Sequence, residues 1–90
     1  MTENQEETII EFPCKFPIKA MGIAEEGFDI LVVGIVRNHV SDLTENAVKS
    51  RLSQGGKYIS ITVEVMAESK QQLDNIYYEL TAHEKILWAL

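Results

Sequence analysis

A strict two-residue alternation runs from Tyr58 to Ala67, and it constrains this chain more than any other feature. Ile59, Ile61, Val63 and Val65 take every second position, with Tyr58, Ser60, Thr62, Glu64 and Met66 between them. Successive side chains of a strand point to opposite faces, so this segment reads as a strand with one buried face and one mixed face. Just before it, Gln54-Gly55-Gly56-Lys57 is a turn signal, because two glycines accept positive φ at no steric cost. Residues 47–53 alternate as well, with Val48, Ser50 and Leu52 set against Lys49 and Arg51. The two segments form a β-hairpin.

The same reading extends along the chain. Residues 14–23 place Phe16, Ile18 and Ala20 on one face and Lys15, Lys19 and Met21 on the other. Pro13 and Pro17 suit a strand start or an edge-like segment, where no backbone donor is needed. Residues 25–40 carry conflicting signals. The β-branched run Ile30–Val36 favours a strand by propensity. Phe28, Leu31, Val32, Ile35 and Val36 nevertheless recur at i, i+3, i+4, i+7 and i+8, and Val40 continues the stripe. Glu25, Glu26 and Asp29 at the start, with Arg37 and His39 near the end, complement a helix dipole. The spacing predicts a helix over 25–40, in which Gly34 costs about 1 kcal/mol relative to Ala and would allow close approach to the sheet. Ser69-Lys70-Gln71-Gln72 has capping-box spacing, and it opens a second helix with Leu73, Ile76, Tyr77 and Leu80 inward. The run Lys85–Leu90 reads as a last strand, with Ile86, Trp88 and Leu90 toward the core.

The order β-α-β-β-α-β predicts an α+β, ferredoxin-like two-layer sandwich. It has a four-stranded antiparallel sheet, strands one and three central, and both helices on one face. The expected core is Phe16, Ile18, Phe28, Leu31, Val32, Ile35, Val36, Ile59, Ile61, Val63, Val65, Leu73, Ile76, Tyr77, Leu80, Ile86 and Trp88. A domain of this size buries only about 60–65% of its chain surface. The helix-free sheet face is therefore open or covered by a partner. Strand parity puts Lys15, Lys19, Met21, Lys49, Arg51, Tyr58, Ser60, Thr62, Glu64, Met66, Lys85 and Leu87 on that face.

Charge sharpens this expectation. The chain has 90 residues, and its 8 Lys+Arg against 14 Asp+Glu give a net charge of −6. Glu3, Glu6, Glu7 and Glu11 crowd the first eleven residues, so residues 1–10 read as a disordered acidic tail and residues 11–90 as a single domain. Five of the eight basic residues fall on the predicted open face, with Glu64 as its one acid. An acidic protein thus presents a basic sheet, suited to an acidic protein partner, an anionic small ligand or a second copy. The net charge makes nucleic acid an unfavoured partner.

Other chemistry is missing. Cys14 is the lone cysteine, so neither an internal disulfide nor a multi-thiolate metal site is expected. No apolar window reaches about 18 residues, and the acidic start does not resemble a signal peptide. These features point to a reducing, cytoplasmic setting away from membranes. An RNA-recognition sheet stacks bases on central aromatics, and here only Tyr58 is placed to offer a ring. A phosphate-handling loop after the first strand would want cations where Glu25 and Glu26 stand. His39 and His83 lie at predicted helix ends, with no nucleophile beside them. The sequence predicts a protein that is not an enzyme and uses no cofactor and no metal.

The stretch Glu11-Phe-Pro-Cys-Lys-Phe-Pro-Ile-Lys-Ala-Met-Gly22 resembles the opening of the YbeD-like family of small bacterial proteins. Gly56-Lys-Tyr-Ile-Ser-Ile-Thr62, Gln72-Leu-Asp-Asn-Ile-Tyr77 and the closing apolar run fit the same family. The resemblance covers residues 11–90. It implies a βαββαβ domain similar to the ACT-type regulatory domains, and hence a regulatory or ligand-sensing role. It also carries a pathway pointer, because genes of this family often lie near lipoate-attachment genes. ACT-like domains bind small ligands near the first strand–helix loop, often across a dimer. By position this implies Gly22, Glu25, Glu26 and Gly27, where an amino acid or carboxylic acid would be sensed. Two functions are therefore expected of the chain: an interaction module acting by its open sheet face, and a small-molecule sensor. RNA binding is a weaker third.

Overall fold

The hairpin frames the sheet. In the computed structural model, which describes residues 11–90, β2 (Val48–Leu52) pairs antiparallel with β3 (Tyr58–Ala67). The acidic tail read over residues 1–10 lies outside the described residues. Gly55 and Gly56 make the connecting turn at φ of 88° and 77°, a region open to glycine and strained for side-chain-bearing residues. Ser53 closes the turn twice: its N–H donates to the Tyr58 carbonyl (2.8 Å) and its Oγ accepts from the Tyr58 N–H (3.0 Å).

β1 (Cys14–Ile23) runs antiparallel along the whole of β3, from Cys14 opposite Ala67 to Ile23 opposite Tyr58. β4 (Trp88–Ala89) pairs with β1 on its other side, giving the order β2-β3-β1-β4. Strands one and three are central, as right-handed crossovers require. β4 reaches only as far as Lys19, whose N–H and carbonyl bond Leu90 at 2.9 and 2.7 Å. The alternation of backbone groups then aims the missing N–H of Pro17 at a stretch of β1 that β4 does not cover. A proline sits in a central strand without removing a ladder bond.

Helices α1 (Phe28–Arg37) and α2 (Lys70–Ala82) cover one face. Phe28, Val32, Ile35 and Val36 from α1 and Leu73, Ile76 and Leu80 from α2 close over Ile18, Ala20, Ile61, Val63, Val65 and Ala67. Phe16, Leu31, Ile59 and Tyr77 pack against this core half-buried. The capping pattern at α2 operates: Ser69 Oγ accepts from the Gln72 N–H (3.1 Å). The return bond goes one residue further back than the box predicts, with Gln72 Oε1 accepting from the Glu68 N–H (2.7 Å). The same side chain donates from Nε2 to the His39 carbonyl (2.9 Å) and so ties the end of α1 to the start of α2.

Three sequence expectations are corrected. The first helix starts at Phe28 rather than at residue 25, because Gly27 turns left-handed at φ 90° and leaves Glu25 and Glu26 in a loop. It ends at Arg37, although Val40 still reaches the core. Gly34 does not bring the helix onto the sheet, for it is exposed and, apart from the backbone of its own helix and its chain neighbours, nothing among the described residues lies within 4 Å of where its Cβ would stand. Gly22 makes the close approach instead: a Cβ there would overlap the Phe28 ring and stand 2.5 Å from the Lys85 carbonyl oxygen. Finally, Ile86 is buried at 6% exposure, but Trp88 (39%) and Leu90 (70%) face away from the core. Ile86 belongs to the turn closing α2, where its N–H bonds the His83 carbonyl (3.1 Å). Strand parity starts only after it, with Ala89 on the core side opposite Ala20.

Candidate functional site

The sheet face turned away from the helices is open, and its register fixes what it displays. One row across the strands reads Lys49, Thr62, Lys19, Leu90, and the next reads Arg51, Ser60, Met21, Trp88. Strands lie about 4.8 Å apart, so each row spans about 14 Å. Lys15 opposite Met66 and Ile23 opposite Tyr58 extend the face along the strands, and Glu64 opposite Pro17 is the one acid that the strands place on it among the described residues. The ion pairs among the described residues join His39 to Glu79, Lys70 to Asp74 and Lys85 to Glu25. Lys15, Lys19, Lys49 and Arg51 take part in none of them. Lys57, at the hairpin turn, lies 5.4 Å from the centre of the Tyr58 ring.

A shallow depression of about 350 Å³ sits within this face, lined by Lys19, Lys49, Ser50, Arg51, Ser60 and Thr62. Cations surround two hydroxyls that can donate. Such a set accepts carboxylate oxygens, while Met21, Trp88 and Leu90 beside it offer an apolar shelf. Of the sequence-derived face residues, Lys19, Lys49 and Arg51 line this depression, Met21 stands in the adjoining row, and Lys15 and Tyr58 lie toward opposite ends of the same face. Lys85 does not. It lies in the turn before β4, where its Nζ pairs with Glu25 Oε2 at 2.9 Å.

The first strand–helix loop forms a second, smaller site. A hollow of about 200 Å³ is lined by Glu25, Glu26, Gly27, Phe28, Leu31, His83 and Lys85. Gly22 lies at its back, buried, with its missing side chain replaced by the chain's own Phe28 and the Lys85 carbonyl. Glu25 is taken up by Lys85, and His83 Nδ1 accepts from the Lys85 N–H (3.1 Å). The loop therefore brings Glu25, Glu26 and Gly27 around one hollow and uses Gly22 to pack it.

Two further arrangements are structural. Glu79 on α2 accepts from Asn38 Nδ2 (3.1 Å) and bonds His39 Nε2 (2.8 Å), clamping the two helices together. Cys14 is half-buried, with a free thiol at the start of β1. Among the described residues there is no group of three or more His, Cys, Asp and Glu placed to hold a metal ion, and no helix long and apolar enough to cross a membrane.

A family model described as "Protein of unknown function (DUF493)" matches residues 7–90. The chain belongs to the DUF493 family. A UPF0250 protein of Chromobacterium violaceum is 42% identical over 87 residues, covering 97% of this chain and 98% of that one. A UPF0250 protein of Neisseria meningitidis serogroup A is 44% identical over 87 residues, 96% of each chain. The resemblance to YbeD-like proteins is that of a member. The solution structure of protein HP0495 from H. pylori superposes with a TM-score of 0.72 at 13% identity, over 100% of this chain and 94% of that one. At that identity the likeness speaks for the DUF493 fold alone, and the fold is the ferredoxin-like one.

Sequence reasoning missed the two apolar residues that change the character of the open face in this DUF493 chain, Trp88 and Leu90. The available signal was Ala89. It is the small residue of the run, and it fits the tight core position opposite Ala20 that a tryptophan would not.

Proposed function

We propose that this DUF493 chain is a non-enzymatic interaction module that docks an acidic, partly apolar protein segment on its open sheet face. The observation that supports the reading is the set of four cations, Lys15, Lys19, Lys49 and Arg51, displayed on one face without ion-pair partners among the described residues. Lysines on a sheet edge serve solubility. Lys19 is instead on a central strand, flanked by Thr62 and Leu90, where solubility does not require a charge. A second copy fits this face poorly, since face-to-face contact would set four cations against four. The exposed Trp88 beside Met21 adds the aromatic anchor that interface centres favour.

The test is an NMR titration with a synthetic peptide alternating glutamate and leucine. Shifts should gather on Lys19, Lys49, Arg51, Met21 and the Trp88 indole. The Lys19→Glu, Arg51→Glu double variant should bind at least about tenfold more weakly, since each lost charge contact is worth up to about 1 kcal/mol and reversal adds repulsion. Shifts confined to residues 22–28, or affinity unchanged in the double variant, would refute the reading.

A sensor reading is favoured by a different observation, the hollow enclosed by Glu25, Glu26, Gly27 and Lys85. Its paired carboxylate and ammonium groups match the charges of an amino acid. Thermal-shift screening with amino acids and with lipoyl-type carboxylic acids tests it. A rise in melting temperature that is lost in Glu26→Gln supports sensing, and no rise with any of them refutes it.

A further inference from the structure

Helix α1 is apolar nearly all round. Apart from Asp29, Gly34 and Arg37, every one of its ten residues is an aliphatic or aromatic one. A helix of that kind belongs in an interior covered on both sides. The sheet covers only one side here. Phe28, Val32, Ile35 and Val36 face the core, while Ile30 is left 74% exposed and Val33 half-buried. Helix α2, built on the same layer, turns mostly polar residues outward, Lys70, Gln71, Asp74, Asn75 and Thr81, with Tyr78 as its one exposed large side chain of apolar character. The outer side of α1 borders a groove of about 450 Å³ lined by Asp29, Ile30, Val33, Gly34, Arg37 and Val48 among others.

We infer that this groove is a self-association surface, in which α1 of a second copy packs antiparallel across a two-fold axis near Val33. Two features of the helix and one of the neighbouring strand point to a second copy. Asp29 and Arg37 lie on one side, equally far before and after Val33 and about 12 Å apart along the axis. In an antiparallel pair each aspartate therefore meets the partner's arginine, and Arg37 belongs to none of the ion pairs among the described residues. Gly34 supplies the bare backbone over which the partner's Ile30 can settle, with open space where a Cβ would stand. The neighbouring edge strand β2 works against the alternative of sheet-to-sheet pairing. An antiparallel β2–β2 pair centred on Ser50 would set Lys49 directly opposite the partner's Arg51, and like charges in a cross-strand pair repel.

The experiment is sedimentation velocity on the full chain, from about 10 to 500 µM, a range that reaches weak dimers. The wild type should shift from monomer to dimer across it, and Ile30→Glu should remain monomeric with an unchanged circular dichroism spectrum. Asp29→Arg makes the patch all cationic and Arg37→Asp makes it all anionic. Each alone should weaken association at least about tenfold, and their equimolar mixture should restore it as a heterodimer. Native mass spectrometry distinguishes that heterodimer by mass. Any of three results overturns the inference: a wild type that stays monomeric, a dimer indifferent to Ile30→Glu, or a mixture that fails to recover.

Discussion

Replacing Gly22 with alanine adds one methyl group, and the surroundings of that methyl decide its effect. It would overlap the ring of Phe28, one of the largest fully buried side chains, and stand 2.5 Å from the Lys85 carbonyl oxygen. The ring cannot leave a packed core, and the carbonyl belongs to the turn that delivers Ile86 to the core and Lys85 to Glu25. Forcing a methyl group into a filled space costs about 1–3 kcal/mol. Removing a glycine from a strand returns about 0.5–1 kcal/mol of backbone entropy. The net loss is about 1–2 kcal/mol, or about 5–15 °C of melting temperature for a domain of this size. Urea unfolding followed by circular dichroism, with the slope unchanged, measures it. Gly34→Ala is the control of opposite sign. Its Cβ meets open space, so in dilute, monomeric protein it should gain up to about 1 kcal/mol. A Gly22→Ala protein as stable as the wild type would falsify the packing role and return Gly22 to the list of ligand-contacting positions.

Trp88→Ala should lower stability by no more than about 1 kcal/mol, against the 3–5 kcal/mol typical of a core tryptophan, because the indole lies on the open face; equilibrium unfolding and acrylamide quenching both report on this. Ser69→Ala removes the cap on the Gln72 N–H and should cost about 1 kcal/mol, read as a lower midpoint in the same urea experiment. Burial raises the Tyr77 phenol above its ordinary value of 10.0. The folded state then holds that proton more tightly than the unfolded chain, so this contribution to stability is intact below pH 10 and declines as pH rises beyond it. Tyr77→Phe should flatten that alkaline decline, and an unchanged decline would assign it to other groups.

Long periodic segments were legible in the residues, and short ones were not. β3 was read at its true ends because ten alternating positions fix both face and register at once. The last strand failed for the complementary reason. Lys85–Leu90 is too short to set its own register, which is imposed by Lys19 and Met21 of β1, and Ile86 is buried from a turn rather than by strand parity. That error propagated to the site, since it hid Trp88 and Leu90 in the expected core and put Lys85 on the face. The start of α1 was misplaced because acidic residues suit a helix start in general, whereas one left-handed glycine decides where this helix begins. Pro17 shows a local rule that held and a global one that did not. Its need for an edge was real, and a central strand supplies that edge because its neighbour β4 is too short to cover it.

The two uncovered surfaces lie on opposite layers, and this placement governs how they combine. The outer side of α1 belongs to the helical layer, and the cations belong to the far face of the sheet. Dimerisation through α1 therefore leaves both basic faces unobstructed and turned away from each other. A partner carrying one acidic segment gains nothing from that arrangement, whereas a partner carrying two gains the effective concentration of the second site. The two contacts also differ in kind. Docking on the sheet rests on exposed charge and weakens as salt screens it, while the α1 contact is apolar at its centre and charged only at its ends. On these two proposals, salt should release the partner before it separates the copies, and the dimer would offer two basic sheet faces to one acidic chain.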